Sequence, residues 1–265
     1  MPPRIAFSTL AFPDATLAAA VSLGRRWGYA GIELRLIDGE LIDPSMPASR
    51  RAQVRRTLAG LPVVAVDSSI RVTGDDPGPE LRRFLELASD WEAPLVRVFG
   101  GALGPSPLRQ QRLRAAARVL EDAVPLAARL GVAIGVETHD DFSASSAVAE
   151  LLALVPAGQV GAVWDSHHPH RMGETPAQVH ANLGPRVLLA QVKDARRTAD
   201  GDWQLVLLGA GEVPVAEMLG LLLAAGYPDW ISVEWEKRWH PEIEDPEVAL
   251  PQHLDLLTRW LGAAS

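Results

Sequence analysis

Three acidic residues stand near the C-terminal ends of separate short apolar segments, where their side chains could meet. They are Glu137, Asp165 and Glu234; Gln191 holds a similar position in a fourth segment, and His168 follows Asp165 by three residues. An unpaired buried carboxylate costs on the order of several kcal/mol. Any one of these acids could belong to a core ion pair, but the set together indicates a bound cation.

The types of these residues indicate which cation would be bound. Carboxylate and amide oxygens suit Mg²⁺ or Mn²⁺, and a nearby imidazole also admits Co²⁺ or Zn²⁺. Three carboxylates around one dication leave about one surplus negative charge, which Lys193 or Arg97 could balance. Five histidines follow the acid-bearing segments, namely His139, His167, His168, His170 and His240. We therefore expect a divalent-metal site.

Short apolar or β-branched segments alternate along the chain with segments of helical periodicity. Strands are predicted at 5–10, 31–36, 63–70, 95–99, 133–138, 160–165, 187–193 and 230–236. Helices are predicted at 14–27, 48–60, 78–91, 107–130, 145–155, 175–183, 213–225 and 245–262, with a kink or division at Pro125. Asp200 and Gly201 predict a small hairpin after the seventh strand.

This alternation predicts the fold class. Parallel strands need crossover connections, so eight strand–helix units predict a parallel α/β sheet. The 265 residues contain no linker and suit a single-domain (β/α)8 TIM barrel spanning 1–265. A doubly wound sheet is disfavoured, because no Gly-x-Gly-x-x-Gly follows the first strand. Active sites of TIM barrels lie at the C-terminal ends of the strands, where Glu33 with Arg35, Asp67 and Arg97 also stand.

Composition excludes several classes of protein. Zero cysteines exclude disulfides, thiolate metal sites and cysteine nucleophiles. The 25 basic and 33 acidic residues give a net charge of −8, which disfavours nucleic acid as a partner. No apolar run approaches the roughly 18 residues of a membrane helix, and the first residues are too strand-like for a signal peptide. We expect a cytoplasmic protein without a membrane partner.

Five segments together carry a resemblance to a known family. They are GYAGIEL at 28–34, GVETH at 135–139, VWDSHH at 163–168, QVKD at 191–194 and ISVE at 231–234. In this order they resemble the sugar phosphate isomerase/epimerase family of xylose isomerase-like TIM barrels. The resemblance spans nearly the whole chain and implies four metal ligands, one per strand: Glu137, Asp165, Gln191 and Glu234.

The resemblance also implies a reaction. Its members move a proton at a carbon next to a carbonyl, through an enediolate that a divalent ion stabilises. Glu137 and Glu234 match the family's acid/base pair, and His168 matches a residue that contacts the substrate. Four further residues are expected to orient the substrate, namely Arg97, Lys193, Glu33 and Arg171. Trp239, with Trp203 and Phe142 as alternatives, is expected to stack on the substrate, whereas Trp164 and Trp235 are expected in the core.

Gln191 departs from many relatives, which have His at this position. The resemblance places Gln in hydroxypyruvate-isomerase-like members, so a single-metal site stays plausible and the DNA-repair endonuclease branch is weakened. The expected partner is a small sugar-like molecule. The sequence leaves open whether it carries a phosphate: Gly209 to Val213 could seat one at a helix N-terminus or simply form a tight turn.

Two other functions remain open at this point. One is a metal-dependent lyase of the 3-dehydroshikimate dehydratase type, which would use the same site. The other is a non-catalytic sugar-binding barrel, which is disfavoured because all four ligand positions hold competent donors. Oligomeric state cannot be read from the sequence, and a homodimer is the assembly that the resemblance suggests.

Overall fold

Eight parallel strands close into a barrel in the computed structural model, which describes residues 3–263. The described residues contain twelve strands in all: β1 (Arg4–Ser8), β2 (Gly31–Leu34), β3 (Leu36–Ile37), β4 (Glu40–Leu41), β5 (Val63–Arg71), β6 (Leu95–Phe99), β7 (Ala133–Glu137), β8 (Val160–Asp165), β9 (Val187–Val192), β10 (Asp194–Arg197), β11 (Trp203–Val206) and β12 (Trp230–Val233). The short strands β3, β4, β10 and β11 lie outside the barrel. The order around the barrel is β1-β12-β9-β8-β7-β6-β5-β2, and β2 pairs with β1 to close it.

Helices follow the barrel strands and cover the outside of the sheet. They are α1 (Leu17–Trp27), α2 (Ala48–Leu58), α3 (Gly78–Asp90), α4 (Ser106–Leu130), α5 (Ser145–Leu152), α6 (His167–Arg171), α7 (Pro176–Leu183), α8 (Val215–Ala224) and α9 (Pro246–Ala263). The predicted (β/α)8 barrel is confirmed. Within residues 3–263, no helix combines the length and apolar character needed to cross a membrane.

Two local features differ from, or add to, the predicted elements. The hairpin predicted after the seventh strand is confirmed as the antiparallel pair β10–β11. A second small hairpin, β3–β4, was not predicted. Helix α4 runs through Pro125 without a break, so of the predicted kink or division at this residue the division is wrong. A proline removes only one helical hydrogen bond, which the packing of α4 against α3 and β7 can offset.

The interior of the barrel changes from apolar to polar along the strands. The lower layer is a small apolar cluster that includes Ala6, Leu95, Val163, Leu189 and Trp230. Two residues further along the same strands stand Ser8, Arg97, Asp165, Gln191 and Ser232, which are all buried. Because residues two apart share a face of a strand, these polar side chains form the next layer above the apolar one. The barrel interior is therefore apolar in its lower layer and polar in the layer above it.

The larger hydrophobic core lies between the sheet and the helices. Trp164 and Trp235, which are 1% and 0% exposed, belong to this outer core, as the sequence predicts. The indole Nε1 of Trp235 donates a hydrogen bond to the carbonyl of Glu244 at 2.8 Å. His253 on α9 packs edge-to-face on Trp235, with ring centroids 5.2 Å apart.

His253 makes the stability of the protein depend on pH. Burial lowers its pKa from 6.5 to about 4, while its Nδ1 donates to the Ala249 carbonyl at 2.7 Å. Since the unfolded chain takes up the proton first, stability is lost as pH falls from about 6.5 to about 4, by roughly 3 kcal/mol at most. We expect His253→Phe to flatten this part of the unfolding free energy against pH, measured by urea denaturation.

The matched control for this prediction is His180→Gln on α7, where the side chain is half-buried. The control should keep the wild-type pH dependence. Equal slopes in the wild type and the His253 variant would contradict the prediction, whatever the change in stability at pH 7.

Candidate active site and metal centre

Three carboxylates converge at the C-terminal mouth of the barrel. Glu137 ends β7, Asp165 ends β8 and Glu234 directly follows β12. One carboxylate oxygen from each lies within 4.8 Å of the other two, and the three side chains are buried. A single ion can therefore contact one oxygen from each strand.

Gln191 places a buried amide beside two of these acids, Asp165 and Glu234. It is fully buried on β9, in register with Asp165 on one side and Ser232 on the other. Its Nε2 donates to Glu33 Oε1 at 2.8 Å and to Glu234 Oε1 at 3.2 Å. Its Oε1 accepts no hydrogen bond from any described residue. A buried, unpartnered carbonyl oxygen is costly unless something else coordinates it.

The backbone fixes the carboxylate of Asp165. Its Oδ1 accepts hydrogen bonds from the backbone N–H groups of His167 and His168, at 2.9 and 2.8 Å. Its Oδ2 accepts no hydrogen bond by strict geometry and lies 2.9 Å from Lys193 Nζ. One oxygen thus holds the start of α6, and the other faces the centre of the site.

Lys193 brings a positive charge into the acidic cluster. Its Nζ lies 2.9 Å from Asp165 Oδ2 and 2.5 Å from Glu234 Oε2, and it also contacts Glu236. Burial by itself would lower the pKa of Lys193, but the carboxylates of Asp165 and Glu234 outweigh burial and hold it well above its usual range. The ammonium group is therefore a permanent cation of the site.

Arg97 supports Glu137 from the side of β6. Its Nε lies 3.0 Å from Glu137 Oε2, its Nη2 lies 3.4 Å from Asp67 Oδ2, and its Nη1 donates to the Ser68 carbonyl at 2.9 Å. Burial raises the pKa of Glu137 well above its usual range, and Arg97 only partly opposes this effect. Glu137 is thus a stronger proton acceptor than an exposed glutamate.

The mouth of the barrel contains more acids than bases. The carboxyl groups are those of Glu33, Asp67, Glu137, Asp165, Glu234 and Glu236, and the cations are Arg35, Arg97 and Lys193. Burial raises the pKa of both Glu33 and Asp67, which relieves part of this excess. The three converging carboxylates, together with the unpartnered Gln191 oxygen, fit a divalent metal ion held by Glu137, Asp165, Gln191 and Glu234.

A second group of possible ligands shares Glu137. Glu137, His139 and His168 also offer ligand atoms within 4.8 Å of one another. The His168 Nδ1 lies 2.7 Å from the Thr138 carbonyl, which can only accept, so the Nδ1 carries the proton. Burial, with Lys193 nearby, lowers the pKa of His168 well below its usual value, so its ring is neutral.

A small cavity of about 60 Å³ opens above the acids. Its lining comprises Leu10, Arg35, Arg97, Phe99, Glu137, His139, His168, Glu234, Glu236 and Trp239. A larger cavity of about 570 Å³ lies beside α4, outside the barrel. None of the converging acids lines the larger cavity, so the small one is the candidate site for chemistry.

The residues predicted to contact substrate divide into two groups. Arg97, His168 and Trp239 line the cavity, and Trp239 is 48% exposed. Lys193 and Glu33 are buried among the acids below it rather than in its wall.

Arg171 and two of the aromatic alternatives also lie away from the cavity wall. Arg171 is exposed and donates to Ser143 Oγ at 3.2 Å. Phe142 is fully buried against Gly100, where an added Cβ would come within 2.0 Å of its ring. Trp203 packs against the rings of His167 and His170.

Five cavity residues have no individual role predicted from the sequence: Arg35, Phe99, His139, Glu236 and the apolar Leu10. Arg35 and Glu236 stand two residues beyond Glu33 and Glu234, so strand alternation is the signal that identifies them. His139 stands two residues beyond Glu137 and carries the same signal. Phe99, which contacts the His139 ring at a centroid distance of 4.4 Å, carries no chemical signal in the sequence.

The turn at Gly209 to Val213 is closed by a side chain of the protein itself. The carboxylate of Asp194 accepts hydrogen bonds from the backbone N–H groups of Gly209, Gly211 and Val213, at 2.8, 3.0 and 3.1 Å. The amides that could have seated a phosphate are already bonded. The structure therefore favours the tight turn of the two alternatives.

We expect Asp194→Ala to destabilise the protein by about 2–4 kcal/mol, because several buried N–H donors lose their acceptor. Urea denaturation measures the loss, and limited proteolysis should show cleavage within 194–213. Asp202→Ala, on the exposed turn of the same hairpin, is the control and should change the unfolding free energy little. Similar losses of unfolding free energy in the two variants would contradict the role of Asp194 in closing this turn.

Comparison with known proteins agrees with this architecture. The family model described as xylose isomerase-like TIM barrel matches residues 21–260. No curated protein shows significant sequence similarity to the chain.

Solved structures with the same fold share little sequence with the chain. An L-ribulose 3-epimerase matches with a TM-score of 0.77 and 16% identity, over 99% of this chain and 95% of that one. A zinc-bound IOLI protein matches with a TM-score of 0.82 and 16% identity, over 99% of each chain. The probable 3-DHS dehydratase AsbF from Bacillus anthracis matches with a TM-score of 0.76 and 17% identity, over 96% of this chain and 98% of that one. With a closed eight-stranded barrel and a family match over most of its length, the chain belongs to the xylose isomerase-like TIM barrel family.

Proposed function

We propose that the protein is a divalent-metal-dependent isomerase or epimerase of a small sugar or sugar derivative. The observation that carries the proposal is the convergence of three carboxylates from separate strands, beside a glutamine whose carbonyl oxygen has no partner among the described residues. The structural similarity to an L-ribulose 3-epimerase supports this class of reaction.

The metal would be held by Glu137, Asp165, Gln191 and Glu234. When bound, it would polarise a substrate carbonyl and make the neighbouring C–H more acidic. Glu137 and Glu234 then act as a proton-transfer pair: one takes the proton from carbon, and the other delivers a proton back. Burial raises the pKa of Glu137 above its ordinary value, which makes this carboxylate a better proton acceptor.

The cations of the site hold this pair in place. Arg97 binds one oxygen of Glu137 and leaves the other free, and Lys193 binds Glu234 at Oε2. Neutral His168 keeps its proton on Nδ1, so its Nε2 is an acceptor that can receive a hydrogen bond from a substrate hydroxyl. Trp239 offers an exposed aromatic face at the cavity rim.

A lyase of the 3-dehydroshikimate dehydratase type is the second candidate, and one residue favours it. Arg35 lines the cavity, is 6% exposed, and forms no ion pair with a carboxylate within residues 3–263. Its guanidinium donates only to the Asp67 carbonyl and Ser69 Oγ, at 3.3 and 2.9 Å. An arginine in this position could pair with a carboxylate on the substrate.

Metal analysis of the purified protein, followed by turnover assays with the ion restored, tests both candidates. A panel of ketoses is compared with 3-dehydroshikimate. Turnover of a ketose supports the isomerase or epimerase, and turnover of 3-dehydroshikimate alone supports the lyase. Sugar binding without any turnover would contradict both and indicate a non-catalytic sugar-binding barrel.

A further inference from the structure

We propose that Glu33 is a positioning residue that determines which end of the Gln191 amide faces the metal site. This inference rests on the proposed metal centre, because it concerns how one of the four ligands is presented. It assigns to Glu33 an indirect role through Gln191, instead of direct contact with the substrate.

The amide of glutamine has two chemically different ends. Its carbonyl oxygen can coordinate a metal ion, whereas its NH₂ group is only a donor and cannot. The two ends are nearly equal in size, so packing alone does not choose between them. The choice must come from hydrogen bonds to neighbouring groups.

Glu33 supplies the hydrogen bond that makes this choice. Its Oε1 accepts from Gln191 Nε2 at 2.8 Å, the shorter of the two bonds that this NH₂ group donates. The longer one goes to Glu234, itself a proposed ligand of the metal. Glu33 is 0% exposed, so water does not compete for the bond.

The consequence appears at the other end of the amide. Gln191 Oε1 is buried and has no hydrogen-bond partner in the described part of the chain. Turning the amide over would place the NH₂ group there and bring two oxygens, Gln191 Oε1 and Glu33 Oε1, against each other. Glu33 therefore keeps the Gln191 carbonyl oxygen available to a metal ion. When no ion is bound, this buried oxygen has no hydrogen-bond partner, which is unfavourable.

The substitution Glu33→Gln tests the orienting bond separately from the acidic group. The new side chain would still offer a carbonyl oxygen to Gln191, while its NH₂ group could donate to the neighbouring Asp67 carboxyl. Asp67 lies beside Glu33, and its Oδ2 is 3.4 Å from Arg97 Nη2. Glu33→Gln thus keeps the acceptor and removes the acidic group, whereas Glu33→Met removes both.

The experiment measures Mn²⁺ affinity by isothermal titration calorimetry in five proteins: the wild type, Glu33→Gln, Glu33→Met, Gln191→Ala, and the double variant Glu33→Met/Gln191→Ala. We expect Glu33→Met to weaken binding by about 10–100-fold, the usual range for a residue that orients a ligand. Glu33→Gln should stay within about 3-fold of the wild type. In the Gln191→Ala background, Glu33→Met should add almost nothing.

Three results would overturn the inference. Equal losses of affinity in Glu33→Gln and Glu33→Met would mean that the carboxyl group of Glu33 matters and its orienting bond does not. An undiminished effect of Glu33→Met in the Gln191→Ala background would show that Glu33 does not act through Gln191. Full Mn²⁺ affinity in Glu33→Met would exclude any role, while leaving the proposed function standing.

Absence of Mn²⁺ binding by the wild type would instead contradict the proposed metal centre, and this inference with it. Circular dichroism and thermal unfolding check that each variant is folded. Should Glu33→Met fail to fold, Glu33→Ala provides a second variant without an acceptor, and the same coupling to Gln191→Ala decides the outcome.

Discussion

Replacing Glu137 by Gln should lower turnover by about 10³-fold or more while the barrel stays folded. The substitution keeps the size of the side chain but removes a group that accepts a proton, and general acid–base catalysis contributes typically about 10²–10⁴-fold. It also replaces one oxygen of the proposed metal site with an amide. The measurement is kcat with saturating metal, on whichever ketose or acid the screen identifies.

The control for this prediction is Glu150→Gln on α5. Glu150 pairs with Arg109 on the surface, at 2.6 Å, and is 37% exposed. We expect it to keep wild-type turnover. Thermal unfolding and metal content of the Glu137 variant separate loss of chemistry from loss of fold or ion. Activity retained in Glu137→Gln would remove this residue from the reaction.

The positions of residues at strand ends are sufficient to predict which side chains share the barrel mouth. The sequence predicts that Glu137, Asp165, Gln191 and Glu234 meet there; the structure brings Glu137, Asp165 and Glu234 together and places Gln191 in register with Asp165. The reason is physical: the period of a strand is two residues, so a face is determined once the strand is located. Closing the barrel then brings the C-terminal ends of the strands to one mouth.

Contacts between distant strands could not be predicted in this way. The bond from Gln191 to Glu33 joins residues 158 positions apart, and it depends on how the side chains meet across the barrel. Glu33 was expected at the substrate because it stands near the end of β2. Its burial below the cavity became visible only with the three-dimensional arrangement.

Loops and short elements are a second part of the structure that could not be predicted from the sequence. Helix α6 has five residues, too few for a periodic pattern, and it begins where Asp165 accepts the N–H groups of His167 and His168. Hairpin β3–β4 turns at Asp38 and Gly39, both with positive φ, but its strands have only two residues each. Arg171, which is expected to orient the substrate, is the last residue of α6 and donates to Ser143 Oγ.

Replacing Asp165 by Asn should empty the metal site more completely than any change in a supporting residue. The Oδ1 of Asn can still accept the N–H groups of His167 and His168, so the start of α6 should survive. The other end of the side chain becomes an NH₂ donor, which faces the proposed ion and the Lys193 ammonium. The Asn NH₂ group and the Lys193 ammonium would then both face the metal ion, at a position where the ion needs an oxygen that accepts.

We expect the affinity of the Asp165→Asn variant for Mn²⁺ to fall by more than about 100-fold, because loss of a direct ligand exceeds the roughly 10–100-fold cost of losing an orienting residue. Metal analysis after purification and calorimetric titration measure it. Asp255→Asn, in an exposed pair with Arg259 on α9, is the matched control and should bind Mn²⁺ as the wild type does. Unchanged metal content in the Asp165 variant would refute its assignment as a ligand.

The Asp165→Asn variant should also melt at a lower temperature in the absence of metal, because Lys193 would lose one of its three carboxylate partners. This decrease in melting temperature should persist when chelator is added.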